Sequence, residues 1–277
     1  MENNIDNNMD DHWWGACISL VIIIVFGFSP MIFGTNQINI YSKRDVKRKN
    51  KSSDETNSDQ SSASAKSSKP LIIGICGCSG SGKTYVCDKI TEYIHDSIDH
   101  KEDNRLVTIL GLDNYYKGGD TNTNYDVPEA IDEQLFIEHL KMLISGKTII
   151  SPVYNFKTHQ REKNKYIEIK SSPLIIVEGI LIFTFENIRS LCDLRVFIDT
   201  NDATRIFRRV TRDINVRGRT IEEIQHRYQT HVADSQIQHI LPSSRFADLR
   251  IKNETGNYTG LNVLLIYLES KLRQLLK

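Results

Sequence analysis

A chain of 277 residues with 35 Lys+Arg against 35 Asp+Glu carries no formal net charge at pH 7, which removes any global electrostatic argument for a nucleic-acid partner. The length suffices for one sizeable folded domain plus extensions, with no need of disulfides or a structural metal to hold its core. The five cysteines, Cys17, Cys76, Cys78, Cys87 and Cys192, are odd in number and lack the paired spacing of a zinc site or a disulfide framework, which points to a reducing, cytosolic setting for the folded part.

Residues 1–14 form a polar, acidic N-terminus that ends in Trp13-Trp14. Residues 15–34 carry no charge and are rich in Ile, Val and Phe, a run long enough as a helix to cross a bilayer. The two tryptophans fall where an interfacial belt sits, and the basic run 41–51 follows on the other side, so the positive-inside rule places the rest of the chain in the cytosol. A cleaved signal peptide would begin basic and end in small residues, and a buried core helix would not lead into a long polar tether. The segment is therefore predicted as a single-pass membrane anchor; without insertion the protein is cytosolic. Residues 35–69 join the basic run to a Ser-rich linker with almost nothing to bury, so the folded domain is expected over 70–277.

That domain opens with an apolar run at 71–77, predicted as a strand. It leads into Gly77-Cys78-Ser79-Gly80-Ser81-Gly82-Lys83-Thr84, which fits the pattern G-x-x-x-x-G-K-[ST]. In that pattern glycines let backbone N–H groups curl round phosphate oxygens, the lysine reaches the outer phosphates and the hydroxyl ligates Mg²⁺. A helix expected over 83–98 aims its N-terminal dipole at the same anion. A glycine-rich turn without chemistry has a similar composition, but the strand before the loop and the helix behind it favour a phosphate cradle.

Residues 106–112 predict a second strand ending at Asp113. A helix is expected at 129–145, with Ile131, Leu135, Leu140 and Leu143 at helical spacing. The unbroken apolar run 174–177, closed by Glu178-Gly179, has the character of a central parallel strand. A strand at 194–199, helices at 202–215 and 220–240, a strand at 248–252 and a helix at 261–276 complete the series, with no internal repeat. Such βα alternation predicts an α/β fold: a P-loop NTPase-type parallel sheet with helices on both faces and the site at the strand C-termini.

Residues just after strands share the cleft with the phosphate loop. Asp113 and Glu178 therefore could hold Mg²⁺ through water or take the proton of an attacking hydroxyl, although a single Asp after a strand also serves as a turn or cap residue. Arg205, Arg208, Arg209 and Arg212 fall on one side of a helix and are followed by Arg217-Gly218-Arg219. Such a comb can neutralise charge in phosphoryl transfer, or can be a solvated face. Asp202, Asp213, Glu222 and Glu223 interrupt the patch and count against nucleic acid.

Several separate stretches resemble the uridine–cytidine kinase family of P-loop nucleoside kinases: Gly77–Thr84, Asp113-Asn114-Tyr115-Tyr116, Asn124–Asp132, Pro152–Arg161, Val177–Leu181, and Arg208–Asp213 through Arg219. The resemblance runs from about Pro70 to the C-terminus and leaves the first 69 residues uncovered. It implies ATP or GTP as phosphate donor with Mg²⁺, and uridine, with cytidine, as acceptor in pyrimidine salvage. It further implies a β-hairpin insertion, an Arg-rich helical lid and a homotetramer. By the same resemblance Asp113 is the general base on the ribose 5′-hydroxyl, and Lys83 acts beside it in catalysis. The donor is held by Gly77, Ser79, Gly80, Ser81, Gly82, Lys83 and Thr84, with Arg212 and Arg217 on its phosphates. The metal falls to Thr84, Glu178 and Asp113. Tyr116, Asp126, Tyr154, Phe156 and His159 form the nucleoside pocket, approached by Arg209 and Arg219. Asp126 suits neighbouring ribose hydroxyls, because a carboxylate can accept from both.

Three residues depart from the family pattern: Val127 stands where His is frequent, Asn155 where Asp is usual, and Arg227 where Gln commonly precedes the Tyr at 228. Arg227 bears most directly on the choice of acceptor. Two other readings stay open: a related small-molecule kinase of the phosphoribulokinase type, and a membrane-tethered nucleotide-binding scaffold without catalysis. The first would want extra basic residues for an acceptor phosphate, and the second would not need Lys83, Asp113 and the lid arginines.

Overall fold

The computed structural model describes residues 40–42, 69–99 and 105–277. The predicted anchor at 15–34 and most of the linker lie outside the described residues. Among the described residues no helix is long and apolar enough to cross a membrane.

A short strand, β1 (Ile40–Ser42), precedes β2 (Leu71–Cys76), β3 (Val107–Gly111), β4 (Ile149–Asn155), β5 (Gln160–Ile169), β6 (Leu174–Glu178), β7 (Leu194–Asp199) and β8 (Leu249–Lys252). Five of these form the central sheet in the order β3-β6-β2-β7-β8, and every neighbouring pair is parallel. β2 is apolar at nearly every position because both of its faces are covered. Ile72 and Cys76 face one core, with Phe136, Leu140 and Phe183, while Ile73 and Ile75 face the other, with Val86, Ile90 and Leu268. Between them Gly74 leaves room for the Phe183 ring, whose Cε1 would lie 2.8 Å from a Cβ placed there.

The longer helices are α1 (Lys83–Ser97), α2 (Glu133–Ile144), α3 (Asp202–Asn215), α4 (Ile221–Arg227) and α5 (Thr259–Leu275), of which α1, α2 and α5 pack into the two cores on the sheet faces. Three start on side-chain caps: Asp132 accepts from Leu135 N at 3.3 Å, Asn201 from Thr204 N at 2.9 Å and Thr220 from Glu223 N at 3.2 Å. The helix expected over 129–145 thus begins at Glu133, since Pro128–Ala130 makes a separate 3₁₀ turn and Asp132 caps α2. The strand expected over 106–112 stops at Gly111, and Asp113 rides on the 3₁₀ turn Leu112–Tyr115. Beyond α4 the predicted helix continues through two π-helical stretches, Tyr228–Val232 and Gln236–Ile240, a geometry that apolar periodicity does not reveal.

β4 and β5 form the antiparallel hairpin, with a register shift between Pro152 and Tyr154, and β1 pairs along the outer side of β5. The bend falls where Pro152 cannot donate to the ladder. At the hairpin tip Asn155 Oδ1 accepts from Lys157 N at 2.9 Å and Thr158 N at 3.3 Å, and its amide donates to Glu162 Oε1 at 2.8 Å. Asn155 therefore works as a turn residue, a task its amide performs as well as a carboxylate would.

Candidate active site

The phosphate loop joins β2 to α1 at the C-terminal edge of the central sheet. Gly80 and Gly82 hold φ of +81° and +91°, a region other residues rarely adopt. A Cβ on Gly80 would sit 2.3 Å from the Arg205 carbonyl oxygen, and one on Gly82 would sit 2.1 Å from Asn253 Nδ2. Thr200 Oγ1 and Asn253 Nδ2 donate to the Ser81 carbonyl at 3.0 and 2.8 Å, which fixes the loop from outside. Inside, the Lys83 ammonium donates to the carbonyls of Gly77 and Cys78 at 3.1 and 3.4 Å. Ser81 Oγ is buried and has no hydrogen-bond partner. A loop of forced glycines, an orphaned hydroxyl and a folded-back ammonium fits a polyphosphate.

Thr84, Asp113 and Glu178 line the cleft beside this loop. Desolvation and the neighbouring Asp113 charge push Glu178 up to about 7, against the pull of Lys83. Two carboxylates and a hydroxyl so placed form an oxygen donor set of the kind Mg²⁺ takes.

Across the cleft lie Tyr116, Asp126, Tyr154, Phe156 and His159. Ring centres of Tyr116 and Tyr154 are 5.2 Å apart, those of Tyr154 and Phe156 5.1 Å. His159 stacks on Tyr125 at 5.3 Å with planes 16° apart; no role for Tyr125 was read from the sequence, although it sits inside the Asn124–Asp132 stretch. Desolvation and the charges of Arg227 and Arg219 hold His159 below its ordinary 6.5, so its ring is neutral at pH 7 and can accept as well as donate. Asp126 Oδ2 and Tyr154 Oη are both buried without a hydrogen-bond partner, as groups awaiting a polar ligand would be.

The departures from the family pattern separate. Val127 is not among the lining residues, whereas Arg227 is. Its guanidinium donates to the carbonyls of Thr121 and Thr123, while its Nε has no partner.

The arginine comb also divides. Arg209, Arg212, Arg217 and Arg219 line the cleft. Arg205 is buried and structural, donating to the Thr200 carbonyl at 3.0 Å, to Gln236 Oε1 at 2.9 Å and to Asp202. Arg208 turns to the Asn253 carbonyl at 3.3 Å. Even spacing could not separate these two from the rest, because Gln236 and Asn253, which draw them out of the cleft, lie far along the chain. Arg212 reaches Ser79 Oγ of the phosphate loop at 3.4 Å, and Arg209 stands 3.8 Å from Asp126. Arg217, assigned by resemblance to the donor phosphates, lies over the Phe156 ring at 4.1 Å, on the hairpin side. Arg219 pairs with Glu223 at 3.6 Å. Asp213, to which the sequence assigns no role of its own beyond interrupting the basic patch and closing the Arg208–Asp213 stretch, lies among all four, with Arg212 2.8 Å away.

The chain is similar to the uridine kinase of Clostridium novyi (strain NT), 38% identical over 215 residues that cover 75% of this chain and 97% of that protein. It is 40% identical over 205 residues to the uridine kinase of Borreliella burgdorferi (strain ZS7), covering 72% and 94% of the two chains. Uridine-cytidine kinase A of Dictyostelium discoideum is 37% identical over 210 residues, 74% of this chain and 40% of that longer protein. A crystal structure from Silicibacter sp. TM1040 shares the fold, with a TM-score of 0.50 at 17% identity over 68% of this chain and 92% of that one. The profile of the Phosphoribulokinase / Uridine kinase family matches residues 72–259, which span the cradle, the hairpin and the lid, and the chain belongs to that family.

Proposed function

We propose that the protein transfers the terminal phosphoryl group of ATP or GTP to the 5′-hydroxyl of uridine and of cytidine, giving UMP and CMP. The observation that carries this reading is the meeting of two half-sites in one cleft: a phosphate cradle on one wall, and on the other a ring-lined pocket with buried, unpartnered Asp126 Oδ2 and Tyr154 Oη.

Flat aromatic walls of Tyr116, Tyr154 and Phe156 suit a planar base, and neutral His159 suits its polar edge. Asp126 accepts from the ribose hydroxyls and so sets the 5′-oxygen toward the donor. Asp113 takes the proton from that oxygen as it attacks. Lys83 and Arg212 neutralise charge building on the transferring and leaving oxygens, positions that preorganised donors stabilise at little reorganisation cost. Thr84, Glu178 and Asp113 would hold Mg²⁺, which would supply charge neutralisation to the phosphoryl group being transferred. Lid arginines close over both substrates and exclude water, so that hydrolysis does not compete.

The test is ADP release over a panel of nucleosides and sugar phosphates, with Asp113→Asn alongside. Uridine- and cytidine-dependent turnover is expected, lowered in the variant by roughly 10²–10⁴-fold with nucleotide binding retained. Turnover on a sugar phosphate alone would move the reading to the phosphoribulokinase side, and nucleotide binding without any acceptor-dependent turnover would leave a scaffold. A single-pass anchor at 15–34, with the kinase domain facing the cytosol, belongs to the same proposal on the hydropathy and charge of that segment. Full release of the protein by carbonate extraction of membranes would refute it.

A further inference from the structure

Asp213 takes no part in the proposed chemistry, yet its side chain is wholly buried, at 0% exposure. Both of its oxygens are used twice. Oδ1 faces Arg212 at 2.8 Å and Arg217 at 3.2 Å, while Oδ2 faces Arg219 at 3.2 Å and Arg209 at 3.7 Å. Helical spacing brings in Arg209, four residues before, and the turn that follows α3 brings in Arg217, four residues after. The turn past α3 returns Arg219, whose backbone N–H donates to the Asp213 carbonyl at 3.1 Å. Burial favours the neutral acid, but Arg212, Arg217 and Arg209 outweigh it and hold the carboxyl below its usual range.

From this one carboxylate each arginine leaves for a different wall. Arg209 goes to Asp126 at the acceptor end, Arg212 to Ser79 of the phosphate loop, Arg217 to Phe156 of the hairpin and Arg219 to Glu223 of α4. Four guanidiniums this close repel one another, and without a central anion they would spread into solvent. With it, they are held apart at fixed directions. Preorganised charge of this kind acts in a transition state without reorganising.

We infer that Asp213 is a positioning residue whose carboxylate gathers the lid arginines into one unit, so that closure over the donor phosphates and closure over the acceptor are a single event. The inference rests on the phosphoryl-transfer reading of the cleft and adds to it a residue that touches neither substrate.

The experiment compares the full chain with its Asp213→Asn variant in two independent readouts. In turnover, the variant is expected to lose roughly 100-fold in kcat, the size of losing a preorganised donor, with a smaller rise in KM for the nucleoside. The Arg212→Gln and Asp213→Asn losses should overlap rather than multiply. In hydrogen exchange, a non-hydrolysable ATP analogue with Mg²⁺ and no acceptor should protect residues 209–227 of the unsubstituted chain and leave them unprotected in the variant. Turnover within twofold of the unsubstituted chain, fully multiplicative losses, or equal protection in both proteins would overturn the inference. If no nucleoside is phosphorylated by the unsubstituted chain, the substrate reading fails while the exchange readout still decides the role of Asp213. Should Asp213→Asn not fold because buried guanidiniums lose their counter-charge, the double variant with Arg219→Gln removes one of them together with the carboxylate and carries the same readouts.

Discussion

Arg209 stands 3.8 Å from Asp126 Oδ2, close enough to balance its charge but not to hydrogen-bond it. The carboxylate thus has a positive neighbour while Oδ2 stays free of any protein donor. Asp126→Ala should therefore raise the nucleoside KM by roughly 10–100-fold, the loss of one charge-assisted hydrogen bond or a little more. The ATP KM should change far less. Steady-state kinetics with either substrate varied checks this, and equal shifts in both constants would count against an acceptor-side role.

The phosphate loop makes a second, sharper prediction about stability. A Cβ on Gly80 would meet a backbone carbonyl, whereas a Cβ on Gly82 would meet the tip of the Asn253 side chain. Backbone cannot step aside as a side chain can. Gly80→Ala is expected to cost about 2–4 kcal/mol and to lower Tm by about 5–15 °C, and Gly82→Ala to cost less. Thermal unfolding of the two variants decides the order.

Arg227 ties the start of the π-helical segment to the 118–124 loop through the carbonyls of Thr121 and Thr123. Arg227→Gln cannot span both. The variant should cleave faster in that loop under limited proteolysis, and the nucleoside KM should rise about tenfold, the weight of a charged hydrogen bond lost. Unchanged cleavage and KM would show that the pocket does not need the guanidinium.

Acidification should expose His159. Its folded-state value is held below 6.5 by desolvation and by Arg227 and Arg219, so the folded protein resists protonation that the unfolded chain accepts. The stability this represents is fully present above 6.5 and is lost as pH falls through the lower folded value. Between pH 7 and 5 the unsubstituted protein should thus lose stability that His159→Gln keeps, read as Tm against pH for the pair.

Sequence patterns expose local structure. The cradle, the strand before it and the helix behind it are contiguous stretches whose periodicity or spacing declares them, whereas the β4–β5 hairpin is expected only from the family resemblance. Strand order is another matter: β2 lies between β6 and β7, and nothing in the apolar runs themselves distinguishes that arrangement from others. The same limit applies to Arg205 and Arg209, one a structural tie to Gln236 and the other a cleft residue, though both occupy one helical face. Asp213 was legible only as an acidic residue among basic ones, since its significance comes from arginines folded around it in three dimensions. The π-helical stretches escape because a single wider turn shifts the register without altering composition.

The close approach of Gly80 to the Arg205 carbonyl clamps the first turn of α3 against the phosphate loop. The register of α3 is thereby tied to the backbone of the cradle. Asp213 lies eight residues further along, about 12 Å at 1.5 Å per residue, so the arginine-bearing end of the helix stands at a set distance from that contact. The helix that backs the cradle thus also carries arginines that line the cleft, so the two half-sites share one rigid rod.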